Sequence, residues 1–438
     1  MDLNELKTIR IAASDLNGQM RGKRLPSSDF AKLAEGGARL PFSALNLDIT
    51  GADIADSPLV FATGDADGAL LPTGRGPLPM PWLPNPSALV PMWLYDDDGN
   101  AFAGDPRHAL AGVLGRYKQR GWTVHAATEM EFYLVDDRDG TLSTAINPLT
   151  GRRMSGDATL CINELDAFDG FFSDLYDGCA AMDIPAQAAI SEAGSGQFEI
   201  NLLHRDALSA ADDAYLFKAL TKGIARKHGM AATFMAKPFA DDAGSGMHVH
   251  FSVLDESGRN IFDDGGPDGT DLLRHAVGGC IAAMPPSTLV FVPHGVSFDR
   301  MVPGAHAPTG AGWAYDNRTA AIRIPGGSHK ARRIEHRVAC GDINPYLTIA
   351  AILGAALIGI EDAMDPGEPL TGNAYEQDLP QLSADLKTAI DVFESDPMVR
   401  RIFPELLIEN LCYTKRQELN RMNKIPQDEL WKIYLEAV

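Results

Sequence analysis

The segment Thr128-Glu129-Met130-Glu131-Phe132-Tyr133-Leu134 narrows the local fold most sharply. In a strand, successive side chains point to opposite faces, so residues i and i+2 project together. Glu129 and Glu131 then share one face, while Met130, Phe132 and Leu134 share the other. The apolar face requires a core. The opposite face holds two carboxylates that repel unless a cation lies between them. A solvated strand edge explains this segment alone equally well.

The pattern recurs. Glu192 and Glu199 flank the turn Gly194-Ser195-Gly196, and Phe198, Ile200 and Leu202 lie opposite Glu199 and Asn201. After Gly244-Ser245-Gly246, His248 and His250 alternate with Val249 and Phe251. Arg333, Glu335 and Arg337 alternate with residues that include Ile334 and Val338. Four strand-like segments thus turn polar groups one way. Their shared inventory is Glu129, Glu131, Glu192, Glu199, Glu335 and His248. Carboxylates with few nitrogen donors and no thiolate suit Mg²⁺ or Mn²⁺ better than zinc. So many carboxylates exceed the needs of one ion, which points to two or more. A salt-bridge network across a sheet is the plainer alternative.

Arg300, Arg318, Arg323, Lys330, Arg333 and Arg337 concentrate positive charge in a chain of net charge −21. This run reads as a pocket for phosphates and a carboxylate substrate. Arginines beside divalent ions suit phosphoryl transfer. The chain has neither GxxxxGK[ST] nor the kinase signature set, so a nucleotide would be held another way.

The remaining sequence supplies the scaffold. A strand is expected over 7–16, a turn at Asn17-Gly18 and a second strand after it. A small β-rich domain is expected to end near Asp105-Pro106-Arg107, dividing the chain into 1–104 and 105–438. Pro106 suits the start of a helix over 108–119. Further helices are expected at 164–183, 206–229, 344–363, 380–396 and 403–438. Further strands are expected at 122–135, 188–203, 230–237, 246–254, 319–325 and 333–339. The stretch 294–318 reads as a long loop, a kind that is often functional.

The excess of 59 Asp+Glu over 38 Lys+Arg argues against a nucleic-acid partner, which requires a basic surface. Five scattered cysteines form neither a disulfide framework nor a zinc knuckle. The charged N-terminus lacks a signal-peptide apolar region. The apolar run from Ile343 to Ile360 contains Asn344 and Pro345 and reads as a buried helix, not a membrane span. A cytoplasmic protein is expected.

In order and spacing, these segments resemble the glutamine synthetase family over almost the whole chain. The marks are Glu129-Met130-Glu131-Phe132, Glu192 through Glu199, Gly244 through His250, Arg300-Met301-Val302-Pro303-Gly304, Asn317-Arg318, Ile322-Arg323-Ile324-Pro325, and Lys330 through Glu335 followed by Asn344-Pro345-Tyr346. The resemblance implies an α+β fold: an N-terminal β-grasp domain and a catalytic domain of antiparallel strands backed by helices. It implies a homo-oligomer, a dodecamer of two stacked hexameric rings with sites between subunits. One ion would be held by Glu131, Glu192 and Glu199, the other by Glu129, His248 and Glu335. His250, Ser252, Arg318, Arg323, Lys330 and Arg333 would face ATP, the co-substrate. Gly244, Arg300 and Arg337 would hold glutamate. Arg318 and Arg337 are the implied catalytic residues, and His306 is counted with them through a departure from the family. The implied reaction makes γ-glutamyl phosphate, from which an amine displaces phosphate.

The chain departs from ammonia-using members of that family where the ammonium would sit. His306 occupies the position of a flap glutamate. An N-terminal DGSS aspartate is replaced by Leu45, or, with a shifted alignment, is matched by Asp48. Ala243 stands where an asparagine is usual. Losing carboxylates and gaining apolar room favours an alkylamine. The opening Asp15 through Arg24 is similar to the γ-glutamylpolyamine synthetase branch, so putrescine or a related amine is the expected substrate. His306 is expected to gate the amine site or take the amine's proton. The alternatives are a monoalkylamine ligase, a true glutamine synthetase and a non-catalytic family member.

Overall fold

Two β-sheets organise the chain in the computed structural model, which describes residues 5–33, 37–302 and 307–438. The first sheet contains β1 (Thr8–Ser14), β2 (Met20–Pro26), β3 (Ala38–Pro41), β4 (Asp67–Pro72), β5 (Leu78–Pro79) and β6 (Ser87–Tyr95). Its order is β2-β1-β6-β4-β3, with β5 pairing to β6. β1 and β2 form a hairpin around Asn17-Gly18, where Gly18 takes φ 80°, a backbone conformation that costs glycine little. β1 then runs parallel to β6. Ile9, Ile11, Val90, Met92 and Leu94 enter one small core. This mixed sheet lies where the β-grasp domain is expected.

The second sheet contains β7 (Thr123–Asp136), β8 (Ser143–Thr144), β9 (Ala186–Ser191), β10 (Gln197–Asp206), β11 (Ala231–Thr233), β12 (Met247–Leu254), β13 (Trp313–Tyr315), β14 (Ile322–Ile324) and β15 (Ile334–His336). Its order is β13-β14-β15-β12-β7-β10-β9, with β8 and β11 also on β7. The β13–β14 pair is parallel. The other pairs are antiparallel. With helices packed on this sheet, the fold class is α+β.

One face of β7 drives the packing. Phe132 is fully buried, and its ring lies 5.7 Å from Phe234, 6.2 Å from Phe171, and 6.3 Å from both Phe198 and Phe217. Burying one such side chain stabilises by about 1.5–3 kcal/mol. Two helices back this face, α1 (Pro106–Lys118) and α2 (Ala207–Lys227), and a third, α3 (Pro345–Glu361), packs on both. Asp105 caps α1 by accepting from the N–H of Arg107 at 2.8 Å, and it also accepts from the N–H of Leu94 at 2.9 Å. That carboxylate therefore joins the end of β6 to the start of α1. A buried knot ties the three helices. Arg107 donates twice to Asp212, both at 2.9 Å, and the Tyr346 hydroxyl donates to Asp212 at 2.7 Å.

Asn344 caps α3 and donates through Nδ2 to the carbonyl of Asp15 at 2.8 Å. Lys415 donates to Asn17 Oδ1 at 2.8 Å. The first hairpin's turn is thereby fastened to α3 and to the helix Glu405–Met422. α3 is the buried helix expected from its apolar sequence. Among the described residues, no helix is long and apolar enough to cross a membrane.

Several expected spans are resolved differently. The run 188–203 is a hairpin, β9 and β10, because Gly194 to Gly196 turn the chain. The run 403–438 breaks into Glu405–Met422 and Trp431–Ala437, with Pro426 at the break. The stretch 294–318 contains a 3₁₀ turn, Gly295–Arg300, and strand β13. β14 and β15 are shorter than their alternating patterns, because ladder pairing covers only their centres.

Candidate active site

Strand register assembles the polar face. Glu131 lies opposite Glu199, and Glu129 lies between Asn201 on β10 and His248 on β12. His250 lies opposite Glu335 on β15, and Glu335 lies opposite Arg323 on β14. Directly opposed residues bring their side chains together. Residues far apart in sequence therefore form one row across five strands.

Their contacts are close. Glu129 meets His248 Nδ1 at 2.8 Å and His250 Nε2 at 3.0 Å. Arg333 Nε donates to His250 Nδ1 at 3.2 Å. Glu335 accepts from Arg323 at 2.9 Å and also from Arg337. Glu131 accepts from the Gly246 N–H at 2.6 Å. Asn201 donates to Glu199 at 2.9 Å.

The two glycine-rich turns clasp each other. Gln197 accepts from the Gly194 N–H at 3.0 Å and donates to the Gly244 carbonyl at 3.0 Å. Gly244 is needed there: a Cβ would come within 2.7 Å of both the Ala236 carbonyl oxygen and Arg300 Cγ. Arg300 is buried and donates to the Val338 carbonyl at 3.0 Å.

The electrostatics divide the glutamates. Burial, then the charges of Glu129, Glu131 and Glu192, push the Glu199 carboxyl up to about 9. Burial, then Glu131, push Glu192 up to about 7. Burial also acts to raise Glu129, but hydrogen bonds from His248 and His250 outweigh it and hold that carboxyl far below the usual range. Burial likewise opposes ionisation of Glu335, but the charges of Arg337, His248 and His250 together outweigh it and hold that carboxyl below its ordinary value. A crowd of carboxylates that resist ionising together is what a divalent cation would relieve.

Two groups have the ligand spacing. Glu129, Glu199 and His248 offer atoms within 4.8 Å of one another, and so do Glu129, His250 and Glu335. This grouping differs from the division implied by resemblance, since Glu129 serves both groups and His250 joins one. The oxygen-rich donor set fits Mg²⁺ or Mn²⁺.

Beside Glu129 opens a cavity of about 870 Å³, lined in part by His250, Ser252, Lys330 and Arg333. Its size falls within the range of small-molecule sites, roughly 300–1,000 Å³. His125 and His204 also line it, their rings 6.1 Å apart. His125 continues the alternation of Glu131, Glu129 and Ala127, so a longer reading of β7 finds it. His204 escapes such a reading, because a register shift between Leu202 and Arg205 resets the parity of β10.

Leu45 and Asp48, expected at the amine end, lie elsewhere. Leu45 is fully buried in the small core of the first sheet. Asp48 is buried, accepting from the N–H groups of Thr50 and Ala52 and from Arg421 at 2.7 Å. Arg318 is exposed, and its charge acts on Glu192. His306 lies outside the described residues.

Known proteins share this chain's pattern. The family model described as glutamine synthetase, catalytic domain, matches residues 103–434. Gamma-glutamylputrescine synthetase PuuA of Escherichia coli (strain K12) is 35% identical, over 95% of this chain and 89% of that protein. Glutamate--isopropylamine ligase of Pseudomonas sp is 32% identical, over 100% of this chain and 97% of that protein. Among solved structures, a GmaS/ADP complex superposes with a TM-score of 0.84 at 27% identity, covering 99% of this chain and 97% of that one.

Proposed function

The chain belongs to the glutamine synthetase family, whose ligases are ATP-dependent and metal-using, and we propose that it joins the γ-carboxylate of glutamate to putrescine or a related polyamine through γ-glutamyl phosphate. The observation that carries this reading is the cross-strand row of Glu199, Glu131, Glu129, His248, His250 and Glu335 beside a cavity edged by cations. The polyamine preference is supported by the putrescine-using relative and by the replaced residue at His306.

In this reading Glu129, Glu131, Glu192, Glu199, His248 and Glu335 hold two or more divalent ions, Mg²⁺ or Mn²⁺. When bound, such ions offset phosphoryl charge during transfer. His250, Ser252, Arg318, Arg323, Lys330 and Arg333 face ATP, in keeping with the ADP found in a similar structure. Gly244, Arg300 and Arg337 hold glutamate. Bringing a carboxylate against a triphosphate costs repulsion, and the arginines at 318, 323, 333 and 337 counter it. The attacking amine must be neutral, so a group on the protein has to take its proton. In this reading His306 gates the amine site or takes that proton. Residues 1–104 and 105–438 act as two domains, and copies of the chain assemble as stacked hexameric rings with shared sites.

A second reading, ligation of a monoalkylamine, is favoured by the isopropylamine ligase matched along the full chain. Phosphate release from the full-length protein with ATP, Mg²⁺ and glutamate decides between them. Putrescine is expected to exceed isopropylamine, methylamine and ammonium in kcat/KM by at least about tenfold, about 1.4 kcal/mol. Isopropylamine or methylamine in first place selects the second reading. Ammonium in first place makes the protein a glutamine synthetase. No turnover with any amine leaves a non-catalytic member.

A further inference from the structure

Between α3 and the helix Leu386–Ser395, the chain forms a 3₁₀ turn, Ala374–Glu376, that no motif marks. This turn is clamped to the Asn317-Arg318-Thr319 segment. Asn317 Nδ2 donates to the Gly372 carbonyl at 2.8 Å, and Thr319 Oγ1 accepts from the Ala374 N–H at 2.9 Å. Asn317 Oδ1 in turn accepts from the Thr319 N–H at 3.0 Å. Asn373 accepts from the Tyr375 N–H at 3.2 Å. The clamp fixes the backbone of Tyr375 beside the segment that carries Arg318.

The Tyr375 hydroxyl is a buried polar atom with no hydrogen-bond partner among the described residues. Such groups are rare in folded proteins, and each calls for an explanation. The cations whose charge acts on it are Arg337 and Arg300. Arg337 Nε is likewise buried and unpaired among the described residues. Unsatisfied donors beside two guanidinium groups are complementary to a carboxylate, which accepts several hydrogen bonds and carries the opposite charge.

We propose that Tyr375 is a glutamate-binding residue, its hydroxyl donating a hydrogen bond to a carboxylate of the amino acid held between Arg300 and Arg337. The proposal rests on the reading of function given above and adds a contact to it. Burial raises the phenol above its ordinary value, so it remains protonated and a donor at neutral pH.

Tyr375→Phe removes only the hydroxyl. Calorimetric titration of glutamate into the full-length protein, wild type and variant, tests the contact without requiring turnover. Glutamate affinity is expected to fall about tenfold, about 1.4 kcal/mol. The KM for ATP is expected to stay within about twofold, with Tm unchanged or slightly raised, because an unpaired buried hydroxyl contributes no stability. Unchanged glutamate affinity in the variant overturns the proposal and leaves the functional reading standing. A joint loss of glutamate affinity, ATP affinity and Tm overturns it in favour of a structural role. A wild type that binds no glutamate sinks the functional reading and this contact with it.

Discussion

Titrating Mg²⁺ into the full-length protein is expected to release protons, and their number follows from two side chains. Without a cation, the Glu192 carboxyl titrates at about 7 and that of Glu199 at about 9. At pH 6 both are largely protonated, and a cation that ionises them expels about two protons. At pH 8 Glu192 is already ionised, so about one proton leaves. Calorimetry in two buffers of different ionisation enthalpy counts these protons from the slope of apparent enthalpy. Glu199→Gln is expected to lower the count by about one at each pH. The same groups contribute to the stability of the cation-free protein. A carboxyl raised above its unfolded value of 4.5 keeps its proton longer in the folded state. Their contribution to stability therefore falls as pH rises from about 4.5 through 7 and 9, and saturating Mg²⁺ is expected to flatten that decline. A proton count of zero at both pH values would refute the argument that crowded carboxyls await a cation.

The other predictions concern the scaffold. Phe132→Ala empties the centre of an aromatic cluster and is expected to cost about 3–5 kcal/mol in denaturant unfolding. Arg107→Ala leaves Asp212 buried without its cation and is expected to cost about 3–5 kcal/mol, with a lower Tm. Glu418 is fully buried and bonded to His294 at 2.7 Å and Lys415 at 3.0 Å. Burial acts to raise its carboxyl, but the charges of those two residues hold it at about 2. Its contribution is complete above about 4.5 and is lost as pH falls towards 2. The stability gap between wild type and Glu418→Gln is expected to shrink by about 1 kcal/mol between pH 7 and pH 4, read from urea melts.

Much of the candidate metal-ligand inventory is legible in sequence because period two is a strong constraint. Glu129, Glu131, His248, His250 and Glu335 each sit on a strand whose apolar partners face the core. The order of the strands is not legible, because no local rule pairs Glu129 with His248, 119 residues away. That pairing rests on long-range burial, which composition and spacing do not encode. His204 escapes because a bulge breaks the period on which the reading depends. Tyr375 escapes because a short 3₁₀ turn has no periodicity, and its position depends on Asn317 and Thr319 across the fold. The strand pairings of the first sheet escape as well, since β3 and β4 are short and lie among glycines and prolines. The long expected loop at 294–318 partly dissolves for a related reason: β13 gains its strand identity only by pairing with β14.

Glu129 belongs to both groups of close ligand atoms. A side chain serving two neighbours cannot answer to either one alone. The first cation to arrive would draw one carboxylate oxygen and freeze the torsions of the whole side chain. The second would then meet an oxygen that has already lost its rotational freedom, so the ordering cost is met once for two binding events. Occupancy of the pair would be linked, with a half-filled site the scarce species, and a defect at this one position would be felt at both.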